Sequence, residues 1–174
     1  MTETALLVEV PEIEHLAEKW RTQYDPVAVR GVPAHITALF PFAPTSPLDP
    51  PTIERIQKVL TSMAPFEFRL VQIDEFPNVI WLRPEPDHAF RRLTTELWNE
   101  FPEYPPYEGR HPVSQPHVTL AMSTGDEQHA ELRREIESDL GPHLPVTCRA
   151  EALSVFVNDD RPVWTRHHRL PFGG

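Results

Sequence analysis

Pro33-Ala34-His35-Ile36-Thr37-Ala38-Leu39-Phe40 and its near-copy Gln115-Pro116-His117-Val118-Thr119-Leu120-Ala121-Met122 are the stretches on which the fold turns. In each, a proline-containing lead-in is followed by His, a β-branched residue, Thr and then apolar residues, which predicts a short strand entered from a turn. Strand side chains alternate between faces, so His35 and Thr37 share one face of the first strand, and His117 and Thr119 share one face of the second. A chain with nine histidines supplies one His-x-Thr triplet by chance. The surroundings of the two triplets therefore carry the argument.

Outward from the first motif, residues 4–10 predict a strand, and Pro11 opens a helix whose Ile13, Leu16, Ala17 and Trp20 recur at helical spacing. After the motif come a proline-rich loop, with Phe42 as its anchor, and a helix over 51–63 with Ile53, Ile56, Val59 and Leu60 on one face. An alternating strand follows over 66–73, then a turn at Phe76-Pro77-Asn78 and a hairpin partner at Val79-Ile80-Trp81-Leu82. The second half repeats the order. A helix over 85–101 leads through a turn-rich stretch to the second motif. Next come a helix over 126–140, one long strand over 146–157, a turn at Asn158-Asp159-Asp160 and a returning strand over 161–170.

Each hairpin turn falls at a matching offset from its histidine, which chance triplets do not explain. The recurrence predicts an internal duplication with a pseudo-twofold axis. The fold class expected is α+β: antiparallel sheets forming a central cleft, with helices packed outside. The whole chain, 1–174, makes one domain of two lobes, about 11–84 and 85–170, with strand 4–10 added. The four polar motif side chains then share one cleft.

Composition bounds the function. A net charge of −10 and a pI near 5.3 argue against a protein that coats long nucleic acid, since that needs a basic surface, but allow a small phosphate-bearing substrate. The 21 prolines against 6 glycines stiffen the connections. Lone Cys148 has no intramolecular disulfide partner and reads as a packed thiol. No basic leader or membrane-length apolar run is present, so a cytoplasmic, monomeric protein without membrane association is expected.

Two histidines opposed across a phosphodiester suit general acid and base catalysis, because imidazole titrates near pH 6.5 and holds either state at neutral pH. One neutral ring takes a proton from water, and one protonated ring gives a proton to the departing ribose oxygen. Neither step requires a metal or another cofactor. The Thr37 and Thr119 hydroxyls donate to the nonbridging oxygens and stabilise their developing charge.

This constellation resembles the 2H phosphoesterase superfamily, named for two His-x-Thr or His-x-Ser motifs on a duplicated α+β fold, and within it the bacterial 2′-5′ RNA ligase and cyclic phosphodiesterase proteins. His35-Ile36-Thr37 and His117-Val118-Thr119 fit the motif, and Pro105-Pro106-Tyr107-Glu108-Gly109 ahead of the second is similar too. Ala38 and Trp81 depart from the residues usual at their positions. The resemblance implies hydrolysis or formation of a phosphodiester at a ribose 2′ oxygen, on an RNA end or small nucleotide, with His35 and His117 catalytic and Thr37 and Thr119 on the phosphate. The competing reading is a non-catalytic nucleotide- or RNA-end-binding module of the same fold.

Tyr107 and Trp81 are candidates to stack a base, with core packing as the alternative for Trp81. Arg110 and His111 are weaker candidates for phosphate. The last strand carries Arg161, Arg166, His167, His168 and Arg169, whose alternation lets at most half of them face any pocket. That strand reads as a solvated face. A metal hydrolase built on it is a third, weaker reading, because adjacent strand histidines diverge.

Overall fold

Leu6 and Val8 point to one side of the first strand and Ala5 and Leu7 to the other, and all four are buried. A strand apolar on both faces belongs in the middle of a covered sheet. A computed structural model, which describes residues 2–110 and 114–173, places it there.

In chain order the elements are β1 (Thr2–Glu9), α1 (Glu14–Tyr24), α2 (Pro26–Val29), β2 (His35–Leu39), α3 (Pro50–Leu60), β3 (Phe66–Phe76), β4 (Val79–Glu85) and α4 (His88–Glu100). They continue with β5 (Val118–Met122), α5 (Asp126–Leu140), β6 (Val146–Ala150), β7 (Ala152–Asp159) and β8 (Thr165–Pro171). Two four-stranded sheets result, ordered β2-β1-β7-β8 and β5-β4-β3-β6, with every pairing antiparallel. The expected α+β architecture of two antiparallel sheets with helices outside is therefore present. The helix predicted over 51–63 starts at Pro50, because the Asp49 carboxylate accepts the Thr52 N–H at 2.7 Å and caps it.

The two sheets do not follow the division at residues 84 and 85. Each motif strand is served by the hairpin of the other half: β2 lies in the sheet of β7 and β8, while β5 pairs with β4 of the β3–β4 hairpin. The helices cross in the same way. Helix α1, which precedes the first motif, packs on β5, and α4, which precedes the second, packs on β2 and donates from Thr94 Oγ1 to the Ala38 carbonyl at 2.8 Å.

The long strand predicted over 146–157 is two strands. Val146–Ala150 pairs with β3 in one sheet, Ala152–Asp159 pairs with β1 in the other, and exposed Glu151 lies between them. Val146–Ala150 alternates between buried and exposed residues, whereas Ala152–Asp159 is buried on both faces until its last residue, so the pattern changes where the chain changes sheet.

Candidate active site

Alternation in both motif strands works as their sequences require. Ile36 and Ala38, and Val118 and Leu120, are buried in the core, while His35, Thr37, His117 and Thr119 are half-buried on the opposite faces. Strands β2 and β5 approach with Cα atoms within 8 Å of each other. The structure thus brings the two motifs together.

Each imidazole is fixed by its own lead-in. His35 Nδ1 lies 2.8 Å from the Pro33 carbonyl, and His117 Nδ1 lies 2.7 Å from the Gln115 carbonyl. A carbonyl only accepts, so each Nδ1 carries a hydrogen, and the lone pair of each neutral ring sits on Nε2. Burial pushes the His35 imidazole down to about 4, and the nearby charges of Arg21 and His117 act in the same direction. The Pro33 carbonyl and Glu9, which faces His35 across the β1–β2 pairing, oppose it. Burial also lowers His117, against the hydrogen bond to Gln115.

Around His117 lies a cavity of about 500 Å³, bordered by Phe76, Val79, Tyr107, Gln115, Thr119 and Met122. A smaller cavity of about 130 Å³ adjoins His35 and Thr37, with Leu7, Phe40 and Trp164 in its wall. Tyr107 borders the larger cavity and its hydroxyl shares a hydrogen bond with Thr37 of the other motif. Burial holds its phenol above the usual value, and the Thr37 bond pulls the other way.

Trp81 is corrected as a stacking candidate. Its ring is 2% exposed, lies 4.6 Å from Phe76 in a stacked arrangement, and meets His117 edge-on at 5.8 Å, so it backs the imidazole from within the core. Of the stacked pair, Phe76 is the ring that reaches the cavity, with its centroid 5.2 Å from that of His117. Reading residues 76–78 as a turn hid it. Extending the alternation of β3 from Asp74 by two residues would have put Phe76 on the cleft face.

Other candidates fall elsewhere. Arg110 is exposed and pairs with Glu108 at 2.6 Å, and His111 lies outside the described residues. Arg161 pairs with Asp159 on the C-terminal hairpin, while Arg166 pairs with Glu9 of β1, the residue opposite His35. Cys148 is buried, its thiol pushed up to about 12 by burial and by Glu12. Phe42 is buried against Phe101 and Tyr104, as a loop anchor should be. Among the described residues no group of three or more His, Cys, Asp or Glu is arranged to hold a metal ion, and no helix is long and apolar enough to cross a membrane.

The fold has counterparts of known structure. TT0787 of Thermus thermophilus is 20% identical, with a TM-score of 0.67 over 99% of this chain and 98% of its own. Escherichia coli LigT, solved with 3′-AMP, is 14% identical, with a TM-score of 0.62 over 99% of both chains. It has also been solved with NADP+ and with ATP. At these identities the likeness establishes the fold. The family model of the 2′-5′ RNA ligase superfamily matches residues 9–162, which spans both motifs and strands β2 to β7. The chain belongs to the 2′-5′ RNA ligase superfamily.

Proposed function

We propose that the protein is a metal-independent phosphoesterase that opens 2′,3′-cyclic phosphates, or cleaves or forms 2′-5′ phosphodiesters, on RNA ends or small nucleotides. The observation that carries this is the pair of imidazoles on neighbouring strands, each tied at Nδ1 to the carbonyl two residues before it. Both rings then have Nε2 free for proton transfer, one as acceptor and one, when protonated, as donor.

In the hydrolytic direction the neutral histidine takes a proton from water as the water oxygen bonds to phosphorus. The phosphorus–oxygen bond to the ribose breaks, and the protonated histidine gives its proton to the departing oxygen. The rings end with their protonation states exchanged, and solvent resets them. Thr37 and Thr119 donate to the nonbridging oxygens, where negative charge gathers. Phe76 and Tyr107 offer faces to a base in the larger cavity. The nucleotides bound to the LigT structures support a nucleotide as the substrate class.

Turnover of 2′,3′-cyclic nucleotides by the purified protein, with chelator present, tests the reading. Activity should persist in chelator and fall by about 10²–10⁴-fold in both His35→Ala and His117→Ala. Full activity in either variant would refute the acid and base roles. Tight nucleotide binding with no turnover of any cyclic or 2′-5′ substrate would point to the binding module instead.

A further inference from the structure

Ahead of each histidine stands an arginine in the same relation to it. Arg21, on α1, donates from Nη2 to the Val32 carbonyl at 3.0 Å, three residues before His35. Arg91, on α4, donates from Nη1 to the Ser114 carbonyl at 3.0 Å, three residues before His117. Each guanidinium is held by an aspartate four residues away: Arg21 by Asp25 at 3.0–3.1 Å, and Arg91 by Asp87 at 2.9 Å. Sequence comparison of the two motifs does not reveal this, since the spacing from arginine to histidine differs between the halves.

The peptide that orients each ring is held further, by means suited to its chemistry. The Pro33–Ala34 peptide accepts His35 Nδ1–H through its carbonyl and donates its N–H to Glu14 Oε2 at 2.8 Å, so both ends of that plane are tied. Glu14 in turn lies 3.5 Å from Arg21. The Gln115–Pro116 peptide has no N–H, because proline lacks one. There Arg91 reaches past the backbone, and its Nη2 donates to Gln115 Oε1 at 2.9 Å while its Nη1 holds Ser114.

We infer that Arg21 and Arg91 are positioning residues, a matched pair of clamps on the Val32 and Ser114 carbonyls that fix the lead-in backbone one peptide ahead of the Pro33 and Gln115 carbonyls, which set the tautomer and direction of His35 and His117. Their effect on turnover rests on the acid and base reading of the two rings; their effect on ring orientation does not. The bidentate reach of the guanidinium is what the role needs, since a lysine ammonium is a point charge and does not hold Ser114, Gln115 and Asp87 together.

Arg91 is the better test, because its side chain is 36% exposed whereas Arg21 is fully buried. Long-range ¹H–¹⁵N correlation of the substrate-free protein should show His117 as one Nδ1–H tautomer in the wild type and as a tautomer mixture in Arg91→Met, with Arg91→Lys restoring it only partly. On a 2′,3′-cyclic nucleotide, Arg91→Met should lower kcat about 10- to 100-fold with little change in KM. The same substitution should cost nothing further in a His117→Ala background. An unchanged tautomer in Arg91→Met, or an equal loss in the wild-type and His117→Ala backgrounds, would overturn the proposal. Should the wild type turn over no phosphodiester, the catalytic reading fails and the tautomer spectra still decide the clamp. Arg21→Lys, read at His35 by the same spectra, repeats the test on the other half.

Discussion

The Tyr107 hydroxyl is hydrogen-bonded to Thr37, so a residue of the loop before the second motif touches the threonine of the first. Its backbone is held as well: Tyr107 N–H donates to the Phe40 carbonyl at 2.6 Å, and Tyr107 and Glu108 both adopt left-handed conformations with φ of 50° and 55°. Non-glycine residues are uncommon there, and such backbone persists where its surroundings over-determine it.

Two substitutions separate the ring from the hydroxyl. Tyr107→Phe keeps the face and should lower kcat modestly, with KM for a nucleotide little changed. Tyr107→Ala should raise that KM by roughly 5- to 100-fold, the worth of one stacked base. Steady-state kinetics on a nucleotide and on a base-free phosphodiester check this, since the KM effect should vanish on the latter.

The pH profile of kcat/KM reports the free protein. Burial lowers both imidazoles from 6.5, and His35 falls to about 4. A ring that must be neutral then works down to lower pH, and a ring that must be protonated is lost earlier as pH rises. The bell should therefore peak on the acid side of 6.5. Bound phosphate, being anionic, favours the charged rings and should move the kcat profile to higher pH. The two limbs belong to the pair rather than to single residues. A kcat/KM optimum above pH 7.5 would contradict this.

Stability should follow the same titration. His35 has a folded value below its unfolded one, so its contribution is complete above about 6.5 and is lost as pH falls toward 4. Over that window the wild type should lose stability, on the order of 2–3 kcal/mol for this residue. His35→Gln, which does not titrate, should lose correspondingly less. Urea denaturation at pH 7 and pH 4.5 makes the comparison.

Trp81 and Phe76 stack on each other yet should fail differently. Trp81→Ala empties a core site and should cost about 3–5 kcal/mol, a fall in Tm of roughly 10 °C for a chain of this size. Phe76→Ala, at the cavity wall, should act mainly on KM. Thermal melts and kinetics on both variants decide, and a large KM effect with unchanged Tm in Trp81→Ala would restore it as a stacking residue.

The motif strands were legible because period-two alternation is a local property: one face of Ile36, Ala38, Val118 and Leu120 had to be core, which left the His and Thr faces for the cleft. The proline-rich loop before the second motif pointed to Tyr107, which borders the larger cavity. The buried position of Trp81 was not legible, because an aromatic in the apolar run Val79-Ile80-Trp81-Leu82 fits a cleft wall and a core equally well until its neighbour Phe76 is placed. Arg21 and Arg91 were hidden for a related reason. Their partners are backbone carbonyls, and carbonyls leave no mark on the sequence.

The exchange of hairpins between the halves also sets when the molecule can finish folding. As the chain leaves the ribosome, β1 can pair with β2 early, but its other edge, with Leu6 and Val8 apolar on one face and Ala5 and Leu7 on the other, has no neighbour until Ala152–Asp159 has been made. The sheet that carries His35 therefore closes only after Ala152–Asp159 has emerged. A nascent chain stalled anywhere before β7 would display an unpaired, sticky strand edge, and no fragment ending at the midpoint would contain either sheet complete.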